Sequence, residues 1–199
     1  MEKNRLEAFS DGVLAIIITI MVLELKVPHG EGLEAVIPLL PVFLSYVLSF
    51  IYIGIYWNNH HHMLHTVKRV KGPILWANLH LLFWLSLIPF ATGWMGENHF
   101  SSTPSMIYGV VLFMAALAYW MLQNLIIASQ GEESLLKKAV EQDWKGKLSL
   151  VLYLLAIVVA PWANWLSMSI YVLVALLWLI PDKRIEKVLF ERQQGQPIP

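Results

Sequence analysis

The sequence predicts an all-α membrane protein with six transmembrane helices and both termini on the cytoplasmic side, on three observations. Hydrophobic residues make up 57% of the 199-residue chain and charged residues only 14%, whereas soluble domains run nearer 45–50% and about 25%. The apolar residues fall into six runs long enough to cross a bilayer. Lysine and arginine alternate from connection to connection. A soluble fold must cover its surface with polar groups, so lipid is the natural solvent for this chain. Nine Trp and seven Tyr supply interfacial anchors, many near the ends of apolar runs. The absence of cysteine excludes disulfides and thiolate chemistry, and zero net charge gives no sign of a nucleic-acid partner. Glu2, Lys3, Asn4, Arg5 and Glu7 precede the first apolar run, and no small-residue cleavage site follows it, so it does not read as a signal peptide.

The spans are placed at about residues 5–26, 33–66, 73–96, 103–128, 146–162 and 165–181. Asn4 and Glu7 have capping-box spacing at the start of the first. Pro28, Gly30 and Gly32 break the chain after it. The second is longer than a bilayer needs, so its last turns project into the cytoplasm, and Pro38 and Pro41 mark an early kink. Gly72 and Pro73 open the third, and Pro89 bends it. Ser102, Thr103 and Pro104 read as an N-cap with proline near the first helical position of the fourth. Residues 130–147 form the longest polar connection, with room for an amphipathic helix. Pro161 to Trp165 leave little room between the short last two spans, and a re-entrant pair is the alternative there. The whole reads as one domain over residues 1–192 with a disordered tail at 193–199.

Orientation follows from the basic residues. Lys3 and Arg5 precede the first span; Lys68, Arg69 and Lys71 join the second and third. Lys137, Lys138, Lys145 and Lys147 join the fourth and fifth, and Lys183, Arg184, Lys187 and Arg192 follow the sixth. The remaining connections carry only Lys26. Both termini are therefore placed inside.

The first span carries unusual polarity for a bilayer. A carboxylate there costs several kcal/mol unless it is paired or hydrated, so Asp11 needs partners. At about 100° per residue, Arg5, Gly12, Ile16, Thr19 and Leu23 share a stripe roughly 60° wide, while Ser10 and Asp11 point away. Ile20 lies roughly 60–80° off that stripe and joins it only if the helix is tilted or rewound. Such a stripe suits ordinary packing on a neighbouring helix, or a pore lining built from symmetric copies, where apolar rings gate by dewetting and hydroxyls coordinate a cation. Topology brings Trp57, Asn58, Asn59, His60, His61, His62 and His65 to the level of Asp11, together with Trp76, Asn78 and His80. A hydrogen-bonded network holding the first helix is the favoured reading. His61 and His65 have the i, i+4 spacing of a metal pair, but no acidic residue lies nearby, so no metal site is expected. The histidines could also sense pH.

The run RLEAFSDGVLAIIITIMVLEL, with its R-x-x-x-F-S-D pattern at Arg5, Phe9, Ser10 and Asp11, resembles the first helix of the transmembrane protein 175 family of endosomal and lysosomal potassium channels. YWNNHHHML and ANLHLLFWLSLIPFATGW look like its second and third spans. The resemblance covers the whole chain and is closest to the short prokaryotic members. It implies a homotetramer in the prokaryotic plasma (inner) membrane, with a central pore lined by the first helix. It implies a constriction at Ile16, Ile20 and Leu23 and a selectivity layer at Thr19. Arg5, Phe9, Ser10 and Asp11 would be supported by Trp57, His60, His61, Asn78 and His80.

The expected activity is passive permeation of potassium, and of other monovalent cations, with no cofactor and no carbonyl-type filter. A cationic ring of Arg5 at the inner vestibule would need pairing, to Glu2, Glu7 or a neighbouring subunit. Glu24 and Glu34 would concentrate cations outside. A proton-permeable channel is the first alternative. A secondary transporter would want an inverted repeat, which the sequence lacks, and an enzyme would want catalytic side chains that spans four to six do not carry.

Overall fold

A computed structural model describes residues 2–67, 69–131, 134–139 and 144–179, and every regular element among them is helical. Helix α1 runs Lys3–Leu23, α2 Leu40–His65, α3 Gly72–Ser86, α4 Ile88–Glu97, α5 Ser102–Gln130, α6 Leu135–Ala139, α7 Trp144–Val159 and α8 Asn164–Leu179. Two short 3-10 turns, Leu33–Ala35 and Ile37–Leu39, lead into α2. Among the described residues, four units are long and apolar enough to cross a bilayer: α1, Leu33–His65, Gly72–Glu97 and α5.

Proline explains the irregularities. Pro38 and Pro41 each lack a backbone donor, so the start of the second span is 3-10 and α2 proper begins only at Leu40. Pro89 sits in the first turn of α4 and splits the third span at Leu87. At the start of α5 the N-cap is Ser101, one residue earlier than the sequence suggests, which moves Pro104 to the third helical position, where the amide is an orphan in any case. The capping box does not form either. Helix α1 begins at Lys3 with Glu2 as N-cap, and Glu7 pairs with the Lys3 ammonium at 3.4 Å, a charged partner one turn back.

Helix α5 is the hub, packing on α3, α4, α7 and α8, while α1 lies against α2, α3 and α4. Helices α7 and α8 form a hairpin of 16 described residues each, roughly 24 Å of helix against a hydrocarbon core of about 30 Å. The expected sixth span, residues 165–181, runs past the described residues, and the expected tail at 193–199 lies outside them. Of the polar stretch 130–147, the described residues include the five-residue α6, with Leu135 and Leu136 buried, and the first turn of α7 from Trp144.

Polar side chains tie the helices together where water is scarce. The Ser49 hydroxyl meets those of Thr92 at 2.6 Å and Tyr108 at 3.0 Å. Tyr52 donates to the Tyr171 carbonyl at 2.6 Å, and the Tyr171 hydroxyl donates to the Ser105 carbonyl at 3.1 Å. That tyrosine needs Gly109, because a Cβ there would overlap its hydroxyl oxygen and Cζ. The α4–α5 corner is a Schellman cap: Phe100 N–H bonds to Met95 O at 2.9 Å and His99 N–H to Gly96 O at 3.1 Å. His99 takes the left-handed φ of 50° that glycine usually fills, followed by Phe100 at 57°, and Asn164 holds the Phe100 carbonyl.

Gly109→Ala should cost about 1–3 kcal/mol by overpacking the Tyr171 seat, read as a lower melting temperature in detergent; an unchanged melting curve would contradict this packing.

Candidate pore helix and its supporting network

Helix α1 divides into two halves. Leu6, Ser10, Leu14, Ile17 and Met21 are buried, at spacings of three and four that keep one face toward α2–α4. The opposite side is bare within the subunit. Arg5, Gly12 and Thr19 are exposed, as are Ile16 at 58% and Leu23 at 80%. Phe9, Ile20, Val22, Ala8 and Ala15 flank them and are also exposed. At about 100° per residue this bare side spans roughly 160°, with Gly12 near its middle. Ile20 sits at its edge, lining a groove of about 660 Å³ between α1 and α3–α4 together with Ile16, Phe90 and Trp94. The Thr19 hydroxyl donates to the Ile16 carbonyl at 2.9 Å, so its proton is committed to its own helix and its lone pairs face outward.

The buried half is anchored by a directional relay. Ser10 Oγ donates to the Leu6 carbonyl at 2.9 Å, and Asn78 Nδ2 donates to Ser10 Oγ at 3.0 Å. His60 Nε2 meets Asn78 Oδ1 at 2.7 Å, and because that oxygen only accepts, Nε2 carries the proton. Ser10 and Asn78 are fully buried and His60 is 2% exposed. One relay thus joins α1, α2 and α3. Asp11 has its own partner, Trp57 Nε1 at 3.0 Å. His61 stacks on Trp57 with centroids 6.2 Å apart, and its ring also contacts that of His65 at 4.7 Å.

Among the histidines of α2 and α3, the relay reaches His60. His61 is one step removed, through Trp57. His80 accepts instead from Trp84 Nε1 at 3.0 Å on its own helix, four residues on, and among the described residues it has no bond to the signature side chains. The i, i+4 spacing of His80 and Trp84 on one helix is the sequence signal for this bond. Phe9 is half exposed and lies on the bare side of α1. Arg5 is exposed and forms no ion pair among the described residues. Glu7, one partner considered for it, is engaged by Lys3, which also donates to the His65 carbonyl at 3.2 Å; that tie from the start of α1 to the end of α2 was not read from sequence.

At the other end of α1, Lys26 bonds to Glu97 at 2.5 Å, and the carboxylate raises the lysine pKa above its usual range. Glu24 stands beside Gly93 and lines the groove mouth with Glu97. Glu34 is exposed in the first 3-10 turn.

Comparison with known proteins agrees with this architecture. The family model described as the endosomal/lysosomal potassium channel TMEM175 matches residues 5–89, which contain α1 from Arg5 on, the relay and Asp11–Trp57. A potassium channel of Chryseobacterium sp. (strain P1-3) is 59% identical over 191 residues, covering 96% of this chain and 100% of that one. The endosomal/lysosomal proton channel TMEM175 of Gallus gallus is 34% identical over 46% of this chain and 21% of its own length. A solved structure of a lysosomal potassium-selective channel TMEM175 homolog from Chamaesiphon minutus superposes with a TM-score of 0.78 at 27% identity, covering 91% of this chain and 98% of that one. This chain, an all-helical integral membrane protein, belongs to the TMEM175 family.

Proposed function

We propose that the protein is a potassium-permeable cation channel, a homotetramer whose central pore is lined by the bare side of α1. The observation that carries this reading is the contrast within one helix. One half of α1 is fixed by a satisfied polar relay, while the other half, arginine and hydroxyl included, has no cover in the subunit. A lipid-facing surface has no use for Arg5, Gly12 and Thr19 on one stripe. Four symmetric copies would enclose that stripe and supply Arg5 with a neighbour. The names of the relatives support potassium as the permeant ion, and we read the chain as a channel rather than an enzyme. We place six spans in each subunit, α7 and α8 included, with both termini in the cytoplasm and the protein in the prokaryotic plasma membrane, on the alternation of basic residues.

In this reading an ion enters past Arg5 and meets the ring of Ile16, whose apolar surface dewets when narrow. Thr19 follows, its outward lone pairs able to replace part of the hydration shell. Leu23 forms the next ring, with Ile20 on the flank between subunits. Glu24 raises the local cation concentration at the outer mouth. Discrimination is modest, because four hydroxyls offer fewer and weaker dipoles than a carbonyl cage. Proton permeation is the second reading, favoured by the ring contacts of His61 with His62 and His65 and with the Trp57 that bonds Asp11, and by the naming of the animal relatives.

Potassium flux from liposomes is the direct test, run beside a pH gradient at fixed potassium; reversal potentials that follow protons would favour the second reading. Thr19→Ala should conduct while losing potassium preference, and unchanged reversal potentials in mixed potassium and sodium would remove Thr19 from selectivity. Ile16→Ala should raise single-channel conductance; an unaltered value puts the bottleneck elsewhere. Asn78→Leu leaves the His60 Nε2–H without its acceptor and unties Ser10 from α3; it should lower stability by about 1–3 kcal/mol along with flux, whereas wild-type behaviour in both would deny the relay its supporting role.

A further inference from the structure

A second cavity lies among α2, α5, α7 and α8, and of these helices only α2 has extensive contact with α1. Its volume is about 50 Å³, room for roughly three to five water-sized groups. The wall is built chiefly from the rings of Tyr52, Tyr56, Tyr119, Trp120, Tyr153 and Trp178.

Much of the wall's polarity is already committed. Tyr52 donates to the Tyr171 carbonyl at 2.6 Å and Tyr119 to the Asn59 carbonyl at 3.3 Å. Asn59 Nδ2 donates to the Ile55 carbonyl at 2.8 Å. Ser149 Oγ donates to the Lys145 carbonyl and accepts from Trp178 Nε1, both at 2.8 Å. Waters in the space would find few partners, so the cavity suits an apolar guest. Trp120 at its rim is 43% exposed on the outer surface of α5, where the surroundings of a membrane protein are acyl chains. A void beside lipid forfeits dispersion contacts that a chain end would restore.

The rim is basic. Lys145 lies 6.0 Å from the Trp178 ring centroid and 3.4 Å from the Leu177 carbonyl, and Lys147 is exposed in the same first turn of α7. Trp144, 51% exposed, marks the interface beside them. Tyr153 lies roughly 12 Å deeper along α7 than Lys145, within the reach of one leaflet of about 15 Å.

The geometry points to a phospholipid site: the end of an acyl chain fills the aromatic cavity, and an anionic headgroup rests on the Lys145–Lys147 turn. Its occupant would brace α2, the helix that carries His60 and Trp57, against the α7–α8 hairpin. The site is independent of which ion permeates.

Native mass spectrometry of the purified full chain, titrated with phosphatidylglycerol or phosphatidylcholine, tests it. One phosphatidylglycerol per subunit should bind, several-fold tighter than phosphatidylcholine. Ala116→Leu, which fills the cavity from α5, should weaken both lipids by tenfold or more. Lys145→Gln with Lys147→Gln should abolish only the preference between them. Equal binding of the two lipids to the wild type, or wild-type binding by Ala116→Leu, would overturn the site. If Ala116→Leu does not fold, phosphatidylglycerol brominated on its acyl chain decides. It should quench Trp fluorescence in the wild type, and the quenched fraction should fall in Trp120→Phe/Trp178→Phe; an unchanged fraction would reject the cavity.

Discussion

The rotation of α1 about its own axis is the constraint on which everything else rests, and the His60–Asn78–Ser10 relay sets it. In water a hydrogen bond exchanges with solvent at little net gain. Within a bilayer there is no such exchange, and a polar atom turned toward lipid is left bare. Rotating α1 by even one residue would remove Ser10 from Asn78 and Asp11 from Trp57 together. The relay therefore fixes not only where α1 sits but which of its residues are left uncovered. Gly12, Ile16, Thr19 and Leu23 are exposed because Ser10, Leu14, Ile17 and Met21 are held inward.

Much of this was legible in the chain. A period of 3.6 separates the two halves of α1 without reference to any structure, and the stripe it defines is the side left bare. Asp11 demanded a donor, and Trp57 supplies one. Other features depend on atomic positions that periodicity does not encode. Four histidines occupy residues 60–62 and 65 of one helix, and only burial distinguishes His60 from its neighbours. His80 lies at a similar level to Asp11 but is satisfied by Trp84. The capping box at Asn4 was outweighed by the Lys3–Glu7 pair, because helix starts turn on backbone angles that a four-residue pattern does not specify. The 3-10 entry to α2 needed the combined effect of Pro38 and Pro41. The tyrosine ties of Tyr52, Tyr108 and Tyr171 could not be read from sequence at all, since they join helices far apart in the chain.

The molecule also divides its labour. Helices α1 to α4 carry the signature residues and the relay, and residues 5–89 are the part that matches the family model. Helix α5 and the α7–α8 hairpin back them through buried tyrosines and through contacts as tight as that of Tyr171 on Gly109. Helix α2 belongs to both packing layers, lying against α1 and α4 on one side and α8 on the other.

The chain has no cysteine, so single cysteines along α1 can report directly which side faces water in the assembled protein. Introduced in turn from position 12 to position 23, they should react with a charged thiol reagent, and block flux, at 12, 16, 19 and 23. Those at 14, 17 and 21 should be inert. Uniform reactivity, or block confined to 14, 17 and 21, would mean that the bare side of α1 does not line a water-filled pathway.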